Sequence, residues 1–493
     1  MDLPFSPGGG GGGNRRLTVE HPLKTEFENA GQGQVFQYWA QLSGPEKNAL
    51  LQQAGEIDLA EISRLNHTLL RGDPGGKPRD YSDLNPAPYI PHPANGGDPD
   101  AWDEATAMGE AALRAGRVAA FVVAGGQGTR LGFDNPKGFF PVTPIRQKSL
   151  FQVFAEKIKA AEIHYRSCLP WFIMTSPFNH ADTVGYFQEN DHFGLSEERV
   201  HFFPQGRMPA VGFNGKILLS GKGRIAMNPD GHGGSLPALV RSGATRLMAE
   251  NGIDLLSYFQ VDNPLCKIVD PAFIGFHIGG GSDMSSKMIP KAYAEEKMGV
   301  FCRQNQKIVV IEYSDLPADL MHAKDAQGNL RFLSGSIAIH LLSLIFIEKM
   351  GAADPSSPAL PFHRAQKIIP TLDADGNCYL PDSPNGVKFE RFVFDALPLS
   401  KASVVLETRR ASEFSPVKNR QGLDSPGISA EAQMKEFASW LEAAGEIVAK
   451  TDDGVPLSPI EVSPLFGFDE ATFVQRWKSL AKKPDITQPL FLS

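Results

Sequence analysis

The sequence has 493 residues but only four cysteines and no long apolar run. The cysteines lie far apart and form no CxxC pair, which predicts free thiols in a reducing compartment and argues against a zinc site. No apolar stretch reaches the length of a transmembrane helix. The first residues (MDLPFSPGGGGGGN) have neither the basic nor the apolar region of a secretory signal. These absences together favour a cytoplasmic protein.

Positive charge is also in short supply. The chain has 48 Lys and Arg against 56 Asp and Glu, a formal net charge of -8. This balance argues against nucleic acid or an anionic membrane as the main partner. Any phosphate site must then be a local positive pocket in an acidic protein. A hydrophobic content of 42% and a charged content of 21% are ordinary for globular proteins, and the length suffices for two or three domains.

One stretch, VVAGGQGTRLGFDNPK at residues 122–137, carries the strongest signal. The apolar residues 119–124 predict one buried strand, and a glycine-rich turn follows it. Such a turn lets backbone N–H groups approach an anion, because no Cβ stands in the way. Arg130 and Lys137 add two cations near the same turn. Backbone donors together with fixed cations suit a triphosphate.

Other interpretations of this turn are open or excluded by spacing. A glycine-rich turn alone could equally be only a tight connection. A dinucleotide-binding fingerprint needs a third small residue where Leu131 stands, so an NAD-dependent enzyme is excluded. A Walker A loop needs Gly-Lys-Ser or Gly-Lys-Thr, and neither occurs here. The pattern that remains is GGxGTRLG followed by Pro136-Lys137.

The rest of the chain divides into four predicted stretches. Residues 1–30, with six consecutive glycines, read as a flexible tail. Residues 31–100 read as a helical N-terminal segment and a linker, with a capping box from Ser43 to Glu46. Alternating strands and helices over 101–400 predict an α/β core. Residues 401–493 are expected to form a small C-terminal domain, and we see no chemistry in its part beyond Ser425-Pro426-Gly427.

Two local predictions concern the strand-rich part beyond residue 290. Gly335–His340 is expected to open an apolar helix. The alternation in residues 388–395 indicates a half-exposed strand, with Arg391 on its solvated face.

Polar residues follow the predicted strands. Gln205 follows the strand at 200–203, Asp262 follows the strand at 255–261, and His232 lies between them in a second glycine-rich loop, PDGHGG. Ligands of open α/β sheets bind beyond the carboxyl ends of strands. A buried Asp at such an end needs a partner or a metal, and Mg²⁺ is the natural partner opposite a triphosphate loop. Taken singly, each of the three could be only a capping, structural or loop residue.

In their order, the motifs resemble the eukaryotic-type UDP-N-acetylhexosamine pyrophosphorylases and their UDP-sugar relatives. The resemblance covers about residues 119–419 and rests on GGQGTRLG, NPKG, LPWFIMTS, FFPQGRMPAV, NPDGHGG, QVDNPL, DPAFIGF, GVFCR, VVIEYSDL, NGVKFERFVFD and EFSPVKN. It implies a Rossmann-like nucleotidyltransferase (GT-A-like) core with a mixed sheet, a helical N-terminal segment and a small C-terminal domain. The implied reaction is UTP plus a sugar 1-phosphate giving a UDP-sugar and pyrophosphate, with Mg²⁺ as cofactor.

The resemblance also implies roles for individual residues. The cations that neutralise the phosphates would be Arg130, Lys137, Lys388 and Lys418. The nucleotide would be bound by Ala124, Gly125, Gly126, Gln205 and Gly231. The sugar would be bound by His232, Gly299, Glu312 and Ser336. Asp262 would bind the metal.

This chain departs from the family pattern at two positions that bear on the identity of the sugar. The N-acetylglucosamine enzymes have Asn where His232 and Ser336 stand, and Gly-His-Gly is reminiscent of UDP-glucose pyrophosphorylases. The order of the motifs favours N-acetylglucosamine 1-phosphate, and glucose or galactose 1-phosphate is the alternative. A nucleotide-sugar sensor without turnover could have lost Lys137, Asp262 or Lys418, yet all three are present. We expect a monomer or weak homo-oligomer.

Overall fold

The computed structural model describes residues 21–70, 80–352 and 360–493, so most of the predicted glycine-rich tail lies outside the described residues. The described chain forms two compact units. The first consists of residues 21–70, 209–227 and 366–388, and the second of the other described residues. This grouping differs from the boundaries expected at residues 30, 100 and 400. Two segments of the predicted core belong with the N-terminal helices, and residues 401–493 belong with the core.

The first unit contains three helices: α1 (Pro22–Asn29), α2 (Gly44–Gly55) and α3 (Leu59–Leu65). The predicted capping box is confirmed, since Ser43 and Glu46 bond each other's backbone N–H at the start of α2. Two side chains tie the helical part to the distant segment 209–227. Gln32 Nε2 and Asn66 Nδ2 both donate to the carbonyl of Gly215, at 3.0 and 2.8 Å. Short strands complete the unit at Val211–Gly212, Leu219–Gly221, Arg224–Ile225, Thr371–Leu372 and Cys378–Tyr379.

The second unit is built on a mixed sheet of ten described strands. They are β1 (Asn85–Pro86), β2 (Val118–Val123), β3 (Trp171–Thr175), β4 (Val200–Pro204), β5 (Leu255–Gln260), β6 (Met284–Pro290), β7 (Val300–Gln304), β8 (Lys307–Ile311), β9 (Ser334–Ser343) and β10 (Val405–Glu407). The main order is β1-β7-β9-β5-β2-β3-β4, with β8 beside β7 and β6 paired with β9 and β10. The expected α/β fold with a mixed sheet is confirmed.

Helices cover both faces of this sheet. The described α-helices of this unit are α4 (Pro99–Arg114), α5 (Leu150–Tyr165), α6 (His180–Glu189), α7 (Ser235–Arg241), α8 (Ala244–Glu250), α9 (Pro271–Gly279), α10 (Ala318–Met321), α11 (Leu344–Gly351), α12 (Arg410–Glu413), α13 (Pro426–Ala443) and α14 (Glu470–Ser479). The last of them, α14, packs with α13 and two short strands, Ile460–Val462 and Leu490–Leu492, in an apolar cluster of its own. On one face, Phe154 of α5 packs on Phe259 of β5 with ring centroids 5.1 Å apart. On the other face, α7, α8 and α11 contribute a second apolar layer.

The strand order creates a switch point beside β2. Every residue of β2 is buried, and the strand lies parallel to β5 on one side and to β3 on the other. The chain runs from β2 to β3 and β4, and returns to form β5 on the opposite side of β2. Crevices that bind ligands form where the strand order reverses in this way. The glycine-rich loop after β2 therefore begins at the favoured position.

One predicted helix is a strand. Gly335–His340 belongs to β9, which pairs antiparallel with β5, β6 and β7. Its alternate residues Ile337, Ile339 and Leu341 pack in one apolar layer, whereas Leu342 packs in the other. A strand buried on both faces is apolar at nearly every position, so its periodicity does not separate it from a buried helix.

Candidate active site

The loop after β2 folds back on itself and brings Lys137 to its glycines. Gly128 N–H donates to the carbonyl of Asn135 at 2.9 Å, and Lys137 N–H donates to that of Gly126 at 3.1 Å. Gly125 must lack a side chain, because a Cβ there would lie 2.5 Å from Oε1 of Gln205. Asn179 Nδ2 fixes the start of the loop through the carbonyl of Ala124 at 3.0 Å. Four of the residues expected to bind the nucleotide, Ala124, Gly125, Gly126 and Gln205, thus lie at the ends of β2 and β4.

Lys137 and Asp262 lie side by side at this edge of the sheet. Lys137 Nζ is 3.8 Å from Asp262 Oδ2, and both side chains are mostly buried. Burial lowers the pKa of Lys137, and the charges of Arg130 and Lys418 lower it further, whereas Asp262 opposes the shift. Three of the predicted cations and the predicted metal ligand are therefore within electrostatic reach of one another. A bound polyphosphate would relieve the repulsion between the cations.

The segment that carries Lys418 is fixed to the end of β5. Val417 N–H donates to the carbonyl of Asp262 at 2.7 Å. The Asn263 side chain bonds the same segment twice, to the carbonyl of Glu413 at 2.7 Å and to Ser415 N–H at 3.1 Å. Lys418 Nζ itself lies 5.6 Å from the centroid of the Phe414 ring.

A buried charge cluster supports this segment, and we did not predict it from the sequence. Lys287 has no exposed side-chain surface and pairs with Asp270 at 2.6 Å and with Glu413. Thr408 Oγ1 donates to the second oxygen of Glu413 at 2.6 Å. The only signal in the sequence is a lysine inside an otherwise buried strand, β6, where an unpaired charge would be costly.

The second glycine-rich loop packs against residues 391–393. Gly231 has φ +85°, and a Cβ there would lie 2.4 Å from the carbonyl oxygen of Arg391. The prediction of a solvated Arg391 is wrong. Its guanidinium bonds the buried Asp230 at 2.5 Å and lies 4.7 Å from the Phe362 ring centroid. Asp230 precedes Arg391 by 161 residues, so no local pattern could reveal the pair.

His232, in the same loop, is held as a neutral hydrogen-bond donor. It stacks on Phe392 with ring centroids 5.3 Å apart, and its Nδ1 accepts from Val393 N–H at 3.2 Å. Burial lowers the pKa of His232 to about 4. Because Nδ1 accepts, the proton of the neutral ring lies on Nε2. His363 also stacks on Phe392, with ring centroids 4.5 Å apart.

The other residues expected to bind the sugar form a second group. Ser336 N–H donates to the carbonyl of Gly299 at 2.8 Å. A Cβ at Gly299 would lie 2.7 Å from Val310 Cγ1 and 3.2 Å from Glu312 Oε1, so a glycine here leaves room between the strand and the carboxylate. Burial, and next the charge of Asp315, raise the pKa of Glu312. Lys388 belongs to the first unit, on the strand Gly386–Glu390.

The donor set restricts how a metal could bind. Within the described parts of the chain, no three or more His, Cys, Asp or Glu side chains are grouped to hold a metal ion. Mg²⁺ commonly uses one or two carboxylates and completes its shell with water and substrate phosphates. Asp262, partly exposed beside the loop, fits that mode and not an all-protein cage. The roles of the site residues stay predictions.

Known proteins match this chain along most of its length. A family model described as UTP–glucose-1-phosphate uridylyltransferase matches residues 101–425. UDP-N-acetylglucosamine pyrophosphorylase of Saccharomyces cerevisiae is 36% identical, over 88% of this chain and 92% of the yeast protein. UDP-N-acetylhexosamine pyrophosphorylase-like protein 1 of Xenopus tropicalis is 34% identical, over 93% of this chain and 94% of the frog protein.

Solved structures agree with the sequence relatives. The uridine diphosphate N-acetylglucosamine pyrophosphorylase of Trypanosoma brucei, in complex with an inhibitor, has a TM-score of 0.80 at 26% identity, over 95% of this chain and 97% of that chain. No helix among the described residues is both long and apolar enough to cross a membrane. The family recognised from the motifs is confirmed: this chain belongs to the UDP-sugar pyrophosphorylases, the family described by the UTP–glucose-1-phosphate uridylyltransferase model.

Proposed function

We propose that this protein is a uridylyltransferase that converts UTP and N-acetylglucosamine 1-phosphate into UDP-N-acetylglucosamine and pyrophosphate. The observation that carries the proposal is the pairing of Lys137 with Asp262 beside the glycine-rich loop, at the switch point of the sheet. The names of the relatives in yeast and Trypanosoma brucei support the choice of sugar.

For this reaction the protein must mainly neutralise the phosphate charges and align the two substrates. A phosphate oxygen of the sugar phosphate attacks the α-phosphorus of UTP in line, and pyrophosphate leaves. Since the nucleophile is already an anion, no general base is needed. Arg130 and Lys137 would neutralise the triphosphate and the leaving pyrophosphate, and Lys418 would hold the sugar phosphate.

Asp262 would hold the Mg²⁺ that we propose as cofactor, together with oxygens of the nucleotide. When bound, this ion supplies charge to the phosphates. Gln205 and the backbone of Gly231 would contact uracil. Gln205 is buried against Gly125, so its amide is fixed before the nucleotide arrives. Such preorganisation reduces the entropy lost on binding.

His232 would replace the asparagine that related enzymes use for the acetamido sugar. Its neutral ring offers Nε2–H as a donor, as an asparagine amide would offer its NH₂. Ser336 and Glu312 would bind further sugar groups, with Gly299 leaving room for them. We also propose that the protein acts in the cytoplasm as a monomer or weak homo-oligomer, in keeping with its few, unpaired cysteines.

The decisive experiment measures pyrophosphate release from UTP and Mg²⁺ with N-acetylglucosamine, glucose and galactose 1-phosphates in parallel. We expect the acetamido sugar to have the highest kcat/KM, and CTP or ATP to replace UTP poorly. A preference for glucose or galactose 1-phosphate would overturn the proposed sugar substrate but leave the proposed uridylyl transfer standing. No release with any of the three would overturn the proposed function.

A further inference from the structure

The second unit contains a cavity of about 480 Å³ that none of the predicted site residues lines. Its walls come from α5, from the segment 264–271 that follows β5, and from one face of α13. The C-terminal residues, in which the sequence shows no chemistry, therefore form part of a chamber and do not merely cover the core.

The α13 wall combines aromatic rings with an unpaired acid. Gln433, Glu436, Phe437 and Trp440 are spaced so that they lie on one face of the helix, and all four line the cavity. The rings of Phe437 and Trp440 meet edge to face, with centroids 5.5 Å apart. Within the described chain, the carboxylate of Glu436 makes neither a hydrogen bond nor an ion pair, although its backbone carbonyl accepts from Ser439 Oγ at 2.7 Å. Burial raises its pKa to about 7, so its carboxyl is only partly ionised at neutral pH.

A second acid in the wall has a vacant acceptor. Glu461 is only 2% exposed, and its Oε2 accepts the N–H groups of Ile145 and Arg146 at 2.7 Å each. Its Oε1 is buried and has no hydrogen-bond partner among the described residues. A buried carboxylate oxygen without a donor costs free energy. Glu461 lines the cavity, so an occupant could supply that donor once a rotation of the carboxylate turns Oε1 toward the cavity.

The charges around the cavity decide which kind of donor fits. Seven Asp and Glu side chains line it, against four Lys and Arg side chains. Two of the cations are already engaged: Lys148 with Glu156 at 2.7 Å, and Lys157 with two backbone carbonyls. The other two, Lys267 and Arg409, are exposed. Some of the acids are engaged as well: Glu156 with Lys148, and Asp270 with the buried Lys287. Even when Lys287 is counted, the acids outnumber the cations by two, which favours a positive ligand, and the aromatic rings favour a cation with an apolar body.

We propose that this cavity binds a small organic cation, an ammonium group on an aromatic or apolar body, and that the ammonium donates to the free oxygen of Glu461. Glu436 supplies a second acceptor, whose ionised form the ammonium favours, and Phe437 and Trp440 cover the apolar body.

Such a ligand would also touch the support of the active site. Lys157 Nζ donates to the carbonyls of Pro264 and Cys266, at 2.6 and 2.8 Å, in the segment directly after Asp262. An occupant of the cavity changes the surroundings of this lysine and hence the restraint on that segment. This effect on the active site rests on the proposed function, whereas the binding itself does not.

The first test compares three indole compounds that differ in charge: tryptamine, the neutral indole-3-ethanol and the anionic indole-3-propionate. Their binding to the full chain is measured by saturation-transfer NMR and calorimetry. We expect tryptamine to bind at least about 10-fold more tightly than the alcohol, because it adds a charged hydrogen bond, and the anion not to bind. Equal binding of amine and alcohol, or no binding of tryptamine at millimolar concentration, would overturn the proposal.

Variants locate the site. Glu461→Gln keeps an acceptor for the two N–H groups, and Glu436→Gln serves if the first variant folds poorly. Each should weaken tryptamine binding by about 10-fold or more. Glu442→Gln, on an exposed position of the same helix, is the matched control and should bind like the parent protein. Unchanged affinity in both cavity variants would mean that tryptamine binds elsewhere and would overturn the proposal.

Pyrophosphate release with and without tryptamine separates the two proposals. Selective binding in a protein that releases no pyrophosphate would leave the cavity proposal standing and the proposed function overturned. Full pyrophosphate release by a protein that does not bind tryptamine would leave the proposed function standing and overturn the cavity proposal.

Discussion

The backbone N–H of Val417 donates a 2.7 Å hydrogen bond to the carbonyl of Asp262. This bond joins the strand end that bears the predicted metal ligand to the segment that bears Lys418. The two side chains therefore do not sit on independent loops. Any change that displaces one segment displaces the other, because Asn263 and the buried Glu413 add further bonds between them.

Replacing Lys137 with Met should lower turnover by about 100-fold or more, because one preorganised charge beside the phosphates is lost. Methionine keeps the length and fills the same space. The measurement is kcat for pyrophosphate release at saturating UTP. Lys435→Met, at an exposed position on α13, is the control and should leave turnover unchanged. Near-normal turnover of the first variant would remove Lys137 from the catalytic set.

The same substitution should stabilise the ligand-free protein at neutral pH. Burial and neighbouring cations lower the pKa of Lys137 in the folded state, so in the window between that pKa and 10.5 the unfolded chain binds more protons. Stability gained from this group therefore rises with pH across the window. Thermal unfolding from pH 7 to 10 should show a smaller rise for Lys137→Met than for the parent. An equal rise of stability with pH in both proteins would contradict the lowered pKa of Lys137.

Replacing Asp262 with Asn should abolish the Mg²⁺-dependent activity while leaving the fold intact. The backbone carbonyl of residue 262 still accepts from Val417, so the segment that bears Lys418 stays in place. An amide has lost the charge that a hard cation prefers. Activity is titrated with Mg²⁺, and circular dichroism checks the fold. A titration curve like that of the parent would mean that another group binds the metal.

Removing the buried cation at Lys287 should destabilise the fold by about 3–5 kcal/mol, because Asp270 and Glu413 would keep their charges without a partner. Lys287→Met is measured by urea unfolding. The control is Arg114→Met, which breaks the exposed pair with Glu110 and should cost less than about 1 kcal/mol. Equal losses for both variants would show that the buried cluster does not hold the segment.

Replacing His232 with Ala should raise KM for the sugar phosphate by about 10-fold or more, since a buried donor is lost. His232→Asn should restore most of the affinity, because asparagine also offers an N–H donor. Since the pKa of His232 is about 4, its ring stays neutral, and its part in KM should not change between pH 6 and 8. If alanine leaves KM unaltered, the sugar does not contact this residue.

Local patterns were enough to predict the parts of the structure that depend on neighbouring residues. Residues 119–137 form the predicted buried strand and glycine-rich loop, which ends at Lys137. Asp262 follows β5 at the same edge of the sheet. Pairs between distant residues were not predictable. The partner of Arg391 lies 161 positions away, and one of the two partners of Lys287, Glu413, lies 126 positions away; one sequence holds no record of such contacts. The prediction of a helix at Gly335–His340 was wrong for another reason. A strand buried on both faces lacks the alternation of apolar and polar residues that would identify it.

The first unit is assembled from three separate stretches of chain. Gln32 bonds the carbonyl of a residue 183 positions later, so the N-terminal helices leave the ribosome long before their partners are made. They must wait, and the unit is complete only when residue 388 has been synthesised. No single cut in the chain can release this unit whole, and evolution cannot exchange it as one cassette.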